Sequence, residues 1–480
     1  MSHSSDWLTA FEALKSVYSD GAYSNMALNE AIPRHKGCRD SFVRNLVKGT
    51  IRQTITLDYI TGMLASNGLK GIKTRTLIII RMGLYAIREM DSVPDHAAVN
   101  EAVALARKTA RGTDRFINAV LRSYLRRRAE FEVSGLQAEV TGDKERGLQA
   151  EGHGKAAETS GSENAEMNAA CGNEGSIPRF IAEISDPVKR LSVQYAMPED
   201  LVSLIASQYG DEAESILRGL NEPPAVVLRV NTLKTTREQL IADLADEGIT
   251  AEPADECSAA VTAAGRGIIE SDLYRKGHFT VQSLSSMLAV SALAPEPGSR
   301  VLDMCAAPGG KSTMMAEMMG NEGSVTACDI HEHRFELIKA SAARTGAGII
   351  ETRLMDGTQY DSSLEGQFDF VLADVPCSGL GVMSTKPEIR LRTDVSSYDE
   401  LTETQLEILE NAFRYTRPGG RLCYSTCTIN REENEGVTGR FMERFAHDKK
   451  SGFARIVEMR TILPYNNLIG FHYCIIEKNL

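Results

Sequence analysis

Hydrophobic residues follow a helical spacing through the first part of the chain. Apolar side chains recur three and four positions apart in five segments, and this spacing predicts an amphipathic helix for each one. The five segments are 6–18, 38–64, 72–90, 95–110 and 114–128. Val93-Pro94 and Gly112 separate the later segments, as expected of turn residues. The pattern therefore predicts an all-helical domain over residues 1–130.

A polar segment interrupts this pattern at residues 131–176. It is rich in Gly, Ala, Glu and Ser, and it contains the sequence GLQAE twice, at 135–139 and at 147–151. Because it holds so few large apolar side chains, it cannot bury enough surface to offset the entropy lost on folding. We expect a disordered linker here, and the short repeat predicts no function.

Apolar patterning returns in two stages after the linker. Between 177 and 282 short helical and strand patterns are mixed, which predicts a small α+β module. From 283 to 480 strands and helices alternate, from RVLDMCA at 300–306 to GRLCYSTC at 420–427. Such alternation is typical of a mostly parallel, doubly wound α/β sheet, in which ligands bind at the carboxyl ends of the strands.

The net charge differs in sign between the N-terminal and C-terminal parts of the chain, which the total does not show. The whole sequence holds 53 Lys and Arg against 65 Asp and Glu. Residues 1–130 hold 20 basic against 12 acidic residues, whereas residues 177–480 hold 30 against 44. A basic N-terminal domain indicates an anionic partner, of which RNA is the commonest for a soluble protein. A solvated basic surface without a partner is the alternative explanation.

The cysteine pattern and the hydropathy of the sequence indicate the cellular compartment in which the protein is expected. The 9 cysteines include no C-x-x-C pair, which argues against a zinc site and favours buried thiols in a reducing compartment. The longest apolar run, 76–87, is broken by Arg81 and is too short to span a bilayer. The N-terminus lacks the basic and apolar blocks of a signal peptide. We expect a cytoplasmic protein with no membrane segment and no bound metal.

Chemically useful residues follow each predicted strand of the α/β region. The sequence CAAPGGKST at 305–313 follows the first strand, and its Gly309-Gly310 pair allows close approach of a ligand to the backbone. Asp329 follows the second strand, where an acid typically binds the hydroxyls of a ribose. The ends of the next three strands carry Asp356, Asp374-Val-Pro-Cys377 and Ser425-Thr-Cys427. We therefore expect a nucleoside cofactor with acids and thiols around it.

Three kinds of cofactor site compete for the 305–311 loop. A P-loop requires G-x-x-x-x-G-K-[ST], but Cys305 occupies the first glycine position, and such a site has no use for Asp329. The dinucleotide fingerprint G-x-G-x-x-G is absent. S-adenosylmethionine fits better, because it needs ribose and adenine contacts without a polyphosphate cradle.

Several motifs together resemble known families. VLDMCAAPGGKST, FDFVLADVPCSGLG, PGGRLCYSTCTINREENE and the final ILP…GF resemble the Sun-type RNA cytosine-5 methyltransferases. VPDHAAVNEAVALARK and RFINAVLR resemble the antitermination factor NusB. The resemblance covers the chain outside 131–176. It implies a NusB-like helical RNA-binding domain at 1–130, a small α+β RNA-binding module at 177–282 and a Rossmann-like methyltransferase domain at 283–480.

The resemblance also implies an activity and roles for the matching residues. It implies methyl transfer from S-adenosylmethionine to carbon 5 of a 16S ribosomal RNA cytosine of the cytosine(967) type, by a monomer acting on free RNA or on a partly assembled small subunit. Cys427 falls on the attacking nucleophile, Cys377 on the thiol that assists release, and Asp374 on the acid at N3 of the cytosine. The cofactor positions are Cys305, Ala306, Ala307, Pro308, Gly309, Gly310, Lys311, Asp329 for the ribose, Asp356 for the adenine, and Asp374.

Two departures from the family pattern and two other functions stay open at this point. The stretch KPEIRLRTD at 386–394 lacks the tryptophan common after the isoleucine, and Ile469 stands where an acid usually precedes Gly-Phe. A DNA cytosine-5 methyltransferase attacks from a Pro-Cys motif, which here is Cys377. A non-catalytic RNA-binding assembly factor is the second alternative. Label transfer to RNA, combined with cofactor binding, separates these functions.

Overall fold

The structure is a computed structural model that describes residues 3–35, 37–131, 177–446, 453–466 and 468–479. The predicted linker at 131–176 and its repeat lie outside these ranges, except for Phe131, which ends a short helix and is buried. Within the described ranges, no helix has both the length and the apolar character needed to cross a membrane.

The N-terminal region is entirely helical, as predicted. Its helices are α1 (His3–Asp20), α2 (Ser24–Arg34), α3 (Asp40–Arg52), α4 (Thr54–Leu64), α5 (Thr74–Glu89), α6 (Asp95–Thr109), α7 (Asp114–Arg126) and α8 (Arg128–Phe131). The single helix predicted over 38–64 is wrong, because the Thr54 hydroxyl donates to the carbonyls of Thr50 and Ile51 and the helix breaks at Gln53. Helix α2 was not predicted.

The N-terminal core extends past the linker. After it come α9 (Arg179–Ala182) and α10 (Pro187–Tyr195). Phe180 and Val193 from these helices are buried in the same apolar cluster as Trp7 and Phe131. The ring centroids of Phe180 and Phe131 are 5.4 Å apart. The helical domain is therefore completed by residues on both sides of the undescribed segment.

The middle of the chain forms the small α+β module. Its elements are α11 (Glu199–Tyr209), α12 (Ala213–Gly219), β1 (Val226–Val230), α13 (Arg237–Asp246), β2 (Thr250–Pro253), β3 (Ala260–Ala264), α14 (Asp272–Arg275) and β4 (Phe279–Val281). The strands form one antiparallel sheet in the order β2-β3-β1-β4.

The remaining chain is the predicted α/β domain. It contains α15 (Leu284–Leu293), β5 (Arg300–Asp303), α16 (Gly310–Met318), β6 (Ser324–Asp329), α17 (Phe335–Thr345), β7 (Ile350–Leu354), β8 (Phe368–Asp374), α18 (Tyr398–Tyr415), β9 (Thr416–Thr426), α19 (Val437–Phe445), β10 (Phe453–Ile462) and β11 (Phe471–Asn479). The sheet order is β10-β11-β9-β8-β5-β6-β7. Strands β5 to β9 are parallel to one another, whereas β11 and β10 add an antiparallel edge beside β9 that was not predicted.

This sheet is buried on both faces, as expected of a doubly wound fold. Adjacent residues alternate between the two faces: Leu302 lies in one apolar cluster and Val301 in the other. The chain order reverses between β5 and β8, which makes this pair the switch point at which such sheets bind ligands. Cys423 on β9 is fully buried in one of these clusters, so it is a packing residue.

A buried ion pair joins the small module to the α/β domain. Arg229 of β1 donates from Nε and Nη2 to the two carboxylate oxygens of Glu317 on α16, both at 2.8 Å. Arg229 also donates to Thr313 Oγ1 at 2.9 Å. Both charged side chains are almost fully buried, and removing one member of such a pair typically costs about 3–5 kcal/mol. The module therefore fixes the helix that begins at the 305–311 loop.

Candidate active site

Two thiols meet at the carboxyl edge of the parallel sheet. Cys377 follows β8 and Cys427 directly follows β9, and these strands are neighbours. The Sγ atoms of Cys377 and Cys427 are 3.1 Å apart, and the backbone N–H of Cys427 donates to Cys377 Sγ at 3.2 Å. Both thiols are free and partly exposed. The fold thus brings together two side chains that the sequence separates by 50 positions.

The two thiols have different acidities. A hydrogen bond from the Cys377 thiol lowers the pKa of Cys427 below the usual thiol value, and Lys386 and Lys311 act in the same direction. Burial and the negative charge of Asp374 oppose this shift without cancelling it. The pKa of Cys377 is raised well above its usual value by its hydrogen bond to Cys427 and by burial. Cys427 is therefore the more readily formed thiolate of the pair.

Asp374, the last residue of β8, is held by two side chains. Lys311 Nζ lies 2.6 Å from Asp374 Oδ2, and Ser425 Oγ donates to Asp374 Oδ1 at 2.8 Å. Burial lowers the pKa of Lys311, but the charge of Asp374 more than compensates, so the net shift is upward. Lys311 lies in the first turn of α16. The predicted cofactor loop is thus tied directly to the predicted catalytic acid.

The 305–311 loop connects β5 to α16 through a close backbone approach. Gly309 has φ of 101°, and a Cβ atom there would lie 3.2 Å from the Cα of Ile338. Burial raises the pKa of the Cys305 thiol far above its usual value, which keeps this sulfur protonated. The remaining loop residues are Ala306, Ala307, Pro308 and Gly310, of which Gly310 begins the helix.

The two other predicted acids lie on the same edge of the sheet. Asp329 ends β6, is 5% exposed, and accepts the N–H of His331 at 2.9 Å. Asp356 follows β7, and its Oδ1 accepts the N–H and the hydroxyl of Thr358 at 3.0 and 2.7 Å. The carboxyl ends of five neighbouring parallel strands thus carry the predicted cofactor and catalytic residues together.

A further acid at this edge, Asp303, was not predicted. It ends β5, and its Oδ2 accepts the hydroxyl of Ser312 at 2.6 Å. Its Oδ1 is buried and has no hydrogen-bond partner among the described residues. Burial raises the pKa of Asp303 to about 7. Its position directly before the cofactor loop was the signal available in the sequence.

A second residue missed from the sequence, Glu433, joins the two thiol-bearing loops. Its fully buried carboxylate accepts the N–H and hydroxyl of Ser378 at 2.9 and 2.5 Å, the amide of Gln405 at 3.0 Å and the amide of Asn430 at 3.1 Å. Ser378 directly follows one thiol, and Asn430 lies just beyond the other. The segment NREENE contains three glutamates, and nothing in the sequence marks the one that is buried.

The C-terminal tail packs on the loop that follows Cys377. The N–H of Gly470 donates to the carbonyl of Gly381 at 2.9 Å, and a Cβ at Gly381 would lie 2.1 Å from the carbonyl oxygen of Gly470. Ile469 is buried, and its carbonyl accepts the hydroxyl of Ser285 at 2.9 Å. The tail therefore supports the site through its backbone, without the acid that the family usually has there.

The 386–394 stretch links the helical domain to the α/β domain. Glu388 accepts the N–H of Ser24 at 3.2 Å. Arg390 donates to the carbonyl of Arg52 at 2.7 Å and to Asn221 Oδ1 at 2.9 Å. Glu388 and Arg390 are both buried. Two charged residues in this stretch thus hold the domains together.

Three family models match successive parts of the chain. The NusB family model matches residues 7–126, a ferredoxin-like domain of the RsmF/B-like methyltransferases matches 197–269, and the 16S rRNA methyltransferase RsmB/F model matches 290–462. Together these matches follow the order of the helical domain, the small module and the α/β domain.

Similar proteins include full-length and partial relatives. The "probable ribosomal RNA small subunit methyltransferase B" of Bacillus subtilis (strain 168) is 34% identical over 98% of both chains. The human 28S rRNA (cytosine(4447)-C(5))-methyltransferase is 35% identical over 52% of this chain and 32% of its own. The crystal structure of PH0851 covers 100% of this chain with a TM-score of 0.75 and 22% identity, which supports the fold.

The fold, the loop after β5 and these matches define a methyltransferase that uses S-adenosylmethionine. The chain belongs to the RsmB/F family of 16S rRNA methyltransferases. The residues present suit this cofactor, since Asp303 at the start of the loop has a buried oxygen that accepts no hydrogen bond within the described ranges. Such an oxygen can accept a hydrogen bond from an ammonium or hydroxyl group, and the cofactor offers both.

Proposed function

We propose that the protein methylates carbon 5 of a cytosine in 16S ribosomal RNA through a covalent adduct with Cys427. The observation that carries this proposal is the 3.1 Å separation of the Cys377 and Cys427 sulfurs beside the Lys311–Asp374 pair. Carbon 5 of cytosine is a poor nucleophile, so a thiolate must first add to the ring. Two thiols of unequal acidity suit a reaction with one addition and one release.

In the first half of the reaction, Cys427 thiolate forms a bond from its sulfur to carbon 6. The π electrons of the ring move toward carbon 5 and N3, and Asp374 shares with N3 a proton that Lys311 supplies. Carbon 5 becomes nucleophilic as a result. Bound S-adenosylmethionine supplies the methyl group that carbon 5 takes up. The target base has to leave its stack to reach these groups.

In the second half, Cys377 removes the proton from carbon 5. The main cause of the raised Cys377 pKa is its hydrogen bond to Cys427, and this cause disappears once the Cys427 sulfur is bonded to carbon 6. Cys377 can then lose its own proton to solvent and act as the base. The C–H electrons restore the double bond between carbons 5 and 6, the C–S electrons return to Cys427, and N3 returns its proton through Asp374 to Lys311.

Two cysteine variants test the assignment of the two thiols. With RNA and S-adenosylmethionine, Cys427→Ala should give neither methylation nor an RNA adduct, whereas Cys377→Ala should accumulate a covalent RNA complex stable on a denaturing gel. Cys38→Ala, in the helical domain, is the control and should behave as the wild type. The reverse pattern would make Cys377 the nucleophile, as in the DNA cytosine-5 methyltransferases.

The choice of RNA is supported by family membership and by the charge of the helical domain. The proposed target is the cytosine(967) position, in naked 16S rRNA or in a partly assembled subunit, and the proposed active form is a monomer in the cytoplasm. Mapping 5-methylcytosine in ribosomal RNA with and without the gene tests the position. Loss of a methyl group at another cytosine, with cytosine(967) unchanged, would reject that part of the proposal.

A further inference from the structure

The helical domain contains a concave surface that is lined by none of the residues of the catalytic edge. A cavity of about 810 Å³ lies between α1, the turn from α4 to α5 and the turn from α6 to α7. It is lined by residues from 15–19, 65–76 and 109–116, so three separate segments build it. We call it the basic pocket, defined by Lys15, Lys70, Lys73, Arg75, Arg111 and Phe116.

Positive charge in the basic pocket is not neutralised. Of the described residues, its lining contains five Lys and Arg side chains and no Asp or Glu. Among the described residues, none of these five forms an ion pair. Other arginines of the same domain do, as in the pairs Arg34–Glu30, Arg39–Asp6, Arg44–Asp40 and Arg81–Asp58. Five cations that form no ion pair within the described residues are thus collected on one concave surface.

The backbone and an aromatic ring of the basic pocket also suit an anionic strand. The 16-residue helix α5 begins at Thr74 in the pocket wall, and its N-cap residue Lys73 makes no capping hydrogen bond with its side chain, so the partial positive charge of the helix adds to that of the side chains. Phe116 is 37% exposed at the pocket wall. Cations that follow a backbone, combined with an exposed ring on which a base can stack, are the usual elements of single-stranded nucleic-acid sites.

We propose that the basic pocket binds the phosphate backbone of the RNA substrate, with Phe116 stacked on one base, at a segment remote from the target cytosine. This inference rests on the proposed function for its RNA partner. The helical domain contacts the α/β domain through Gly21, Ala22, Ser24 and Arg52, and none of these residues is in the pocket lining. Because no residue of the catalytic edge is in the pocket lining, we infer that the pocket holds RNA other than the target base and acts as an anchor that raises affinity without taking part in the reaction.

The test uses the full-length chain carrying Lys70→Glu, Arg75→Glu and Arg111→Glu together. With a 16S rRNA fragment, the Kd should rise at least tenfold, and the slope of log Kd against log salt should fall by about 2, since each lost phosphate contact removes about 0.7. The KM for RNA should rise while kcat at saturating RNA stays within about twofold. Phe116→Ala alone should weaken binding about 5- to 100-fold.

The matched control reverses the same number of charges outside the pocket, at Arg34, Arg44 and Arg122. It should leave Kd and the salt slope within about twofold of the wild type. S-adenosylmethionine binding and the unfolding midpoint confirm that each variant is folded. If the pocket variant kept the RNA affinity and the salt slope of an active wild type, the anchor proposal would be wrong. A wild type that binds the RNA but transfers no methyl group to it would instead overturn the proposed function.

Discussion

The catalytic edge of the sheet and the basic pocket use positive charge in opposite ways. At the catalytic edge, Lys311 is largely buried and lies 2.6 Å from the carboxylate of Asp374. In the basic pocket, Lys70, Lys73 and Arg111 are exposed, and no acidic residue from the described part of the chain lines the wall. A basic side chain is thus held by a carboxylate at the catalytic edge, whereas the basic side chains of the pocket form no ion pair within the described residues.

This difference follows from what each region has to do. A charge that acts on a reacting ring must be held in one place and sheltered from water, and its desolvation has to be offset by an opposite charge. A charge that binds a polyanion gains affinity by releasing the counterions of that polymer, so a resident carboxylate only competes with the ligand. We therefore expect chemistry at the edge to be insensitive to salt once RNA is bound, whereas affinity at the pocket falls with salt.

The largest expected effect on the reaction rate comes from breaking the Lys311–Asp374 ion pair. Lys311→Met should lower kcat by about 10²–10³, because Asp374 loses the group that supplies its proton and balances its charge. The KM for RNA should change by only a few fold. Lys70→Met should do the opposite, raising KM with kcat unchanged. Single-turnover methylation at several RNA concentrations separates the two effects. A Lys311→Met enzyme with normal kcat would show that the pair is only structural.

A smaller effect is expected from Glu433→Gln, because Glu433 positions the thiol loops without touching the substrate. Gln keeps the shape, but one of its two terminal atoms is a donor and cannot accept from Ser378 or Gln405. We expect kcat to fall about 10- to 100-fold, in keeping with small displacements of reacting groups, with RNA affinity unchanged. The exposed neighbour Glu432→Gln is the control. Equal effects of both variants would remove the positioning role.

The acidity of Cys427 gives a third measurement. The thiolate fraction, and hence the rate of alkylation by iodoacetamide, rises with pH through the pKa of Cys427. Because the hydrogen bond from Cys377 is the main cause of its lowered pKa, Cys377→Ala should move this rate profile to higher pH. Cys377→Ser keeps a hydroxyl donor and should lie between the two. Mass spectrometry of the peptide containing Cys427 measures the rate, and coincident profiles would contradict the assigned acidities.

The helices and strands that were predicted from sequence have strong apolar patterns. Strands such as β8 stand out because Val371, Leu372 and Ala373 are buried without interruption. The antiparallel strand β10 was missed because most of its side chains are exposed or partly exposed, so its pattern is that of a polar segment. Helix α2 was also missed, since it is short and contains Pro33.

Some residues of the candidate site could be predicted from the sequence, and others could not. Cys377, Cys427 and Asp374 were predicted to lie together because parallel strands end at one edge of a sheet. The role of Glu433 depends on which of three nearby glutamates turns inward, and this is settled by packing, not by spacing. The basic pocket depends on three segments that the sequence holds far apart. The sequence therefore predicted a basic domain but not where its free charge is concentrated.

The smallest expected effect concerns a paired arginine on the same domain as the pocket. Arg34 forms an exposed ion pair with Glu30 one helical turn away, and such pairs contribute less than about 0.5 kcal/mol to the free energy of unfolding. Arg34→Ala should therefore leave both the urea midpoint and the Kd for RNA nearly unchanged, whereas Lys70→Ala should weaken binding and reduce the salt slope. If Arg34→Ala weakened RNA binding as much as Lys70→Ala, the net charge of the domain would determine affinity, and the distinction between paired and free cations would fail.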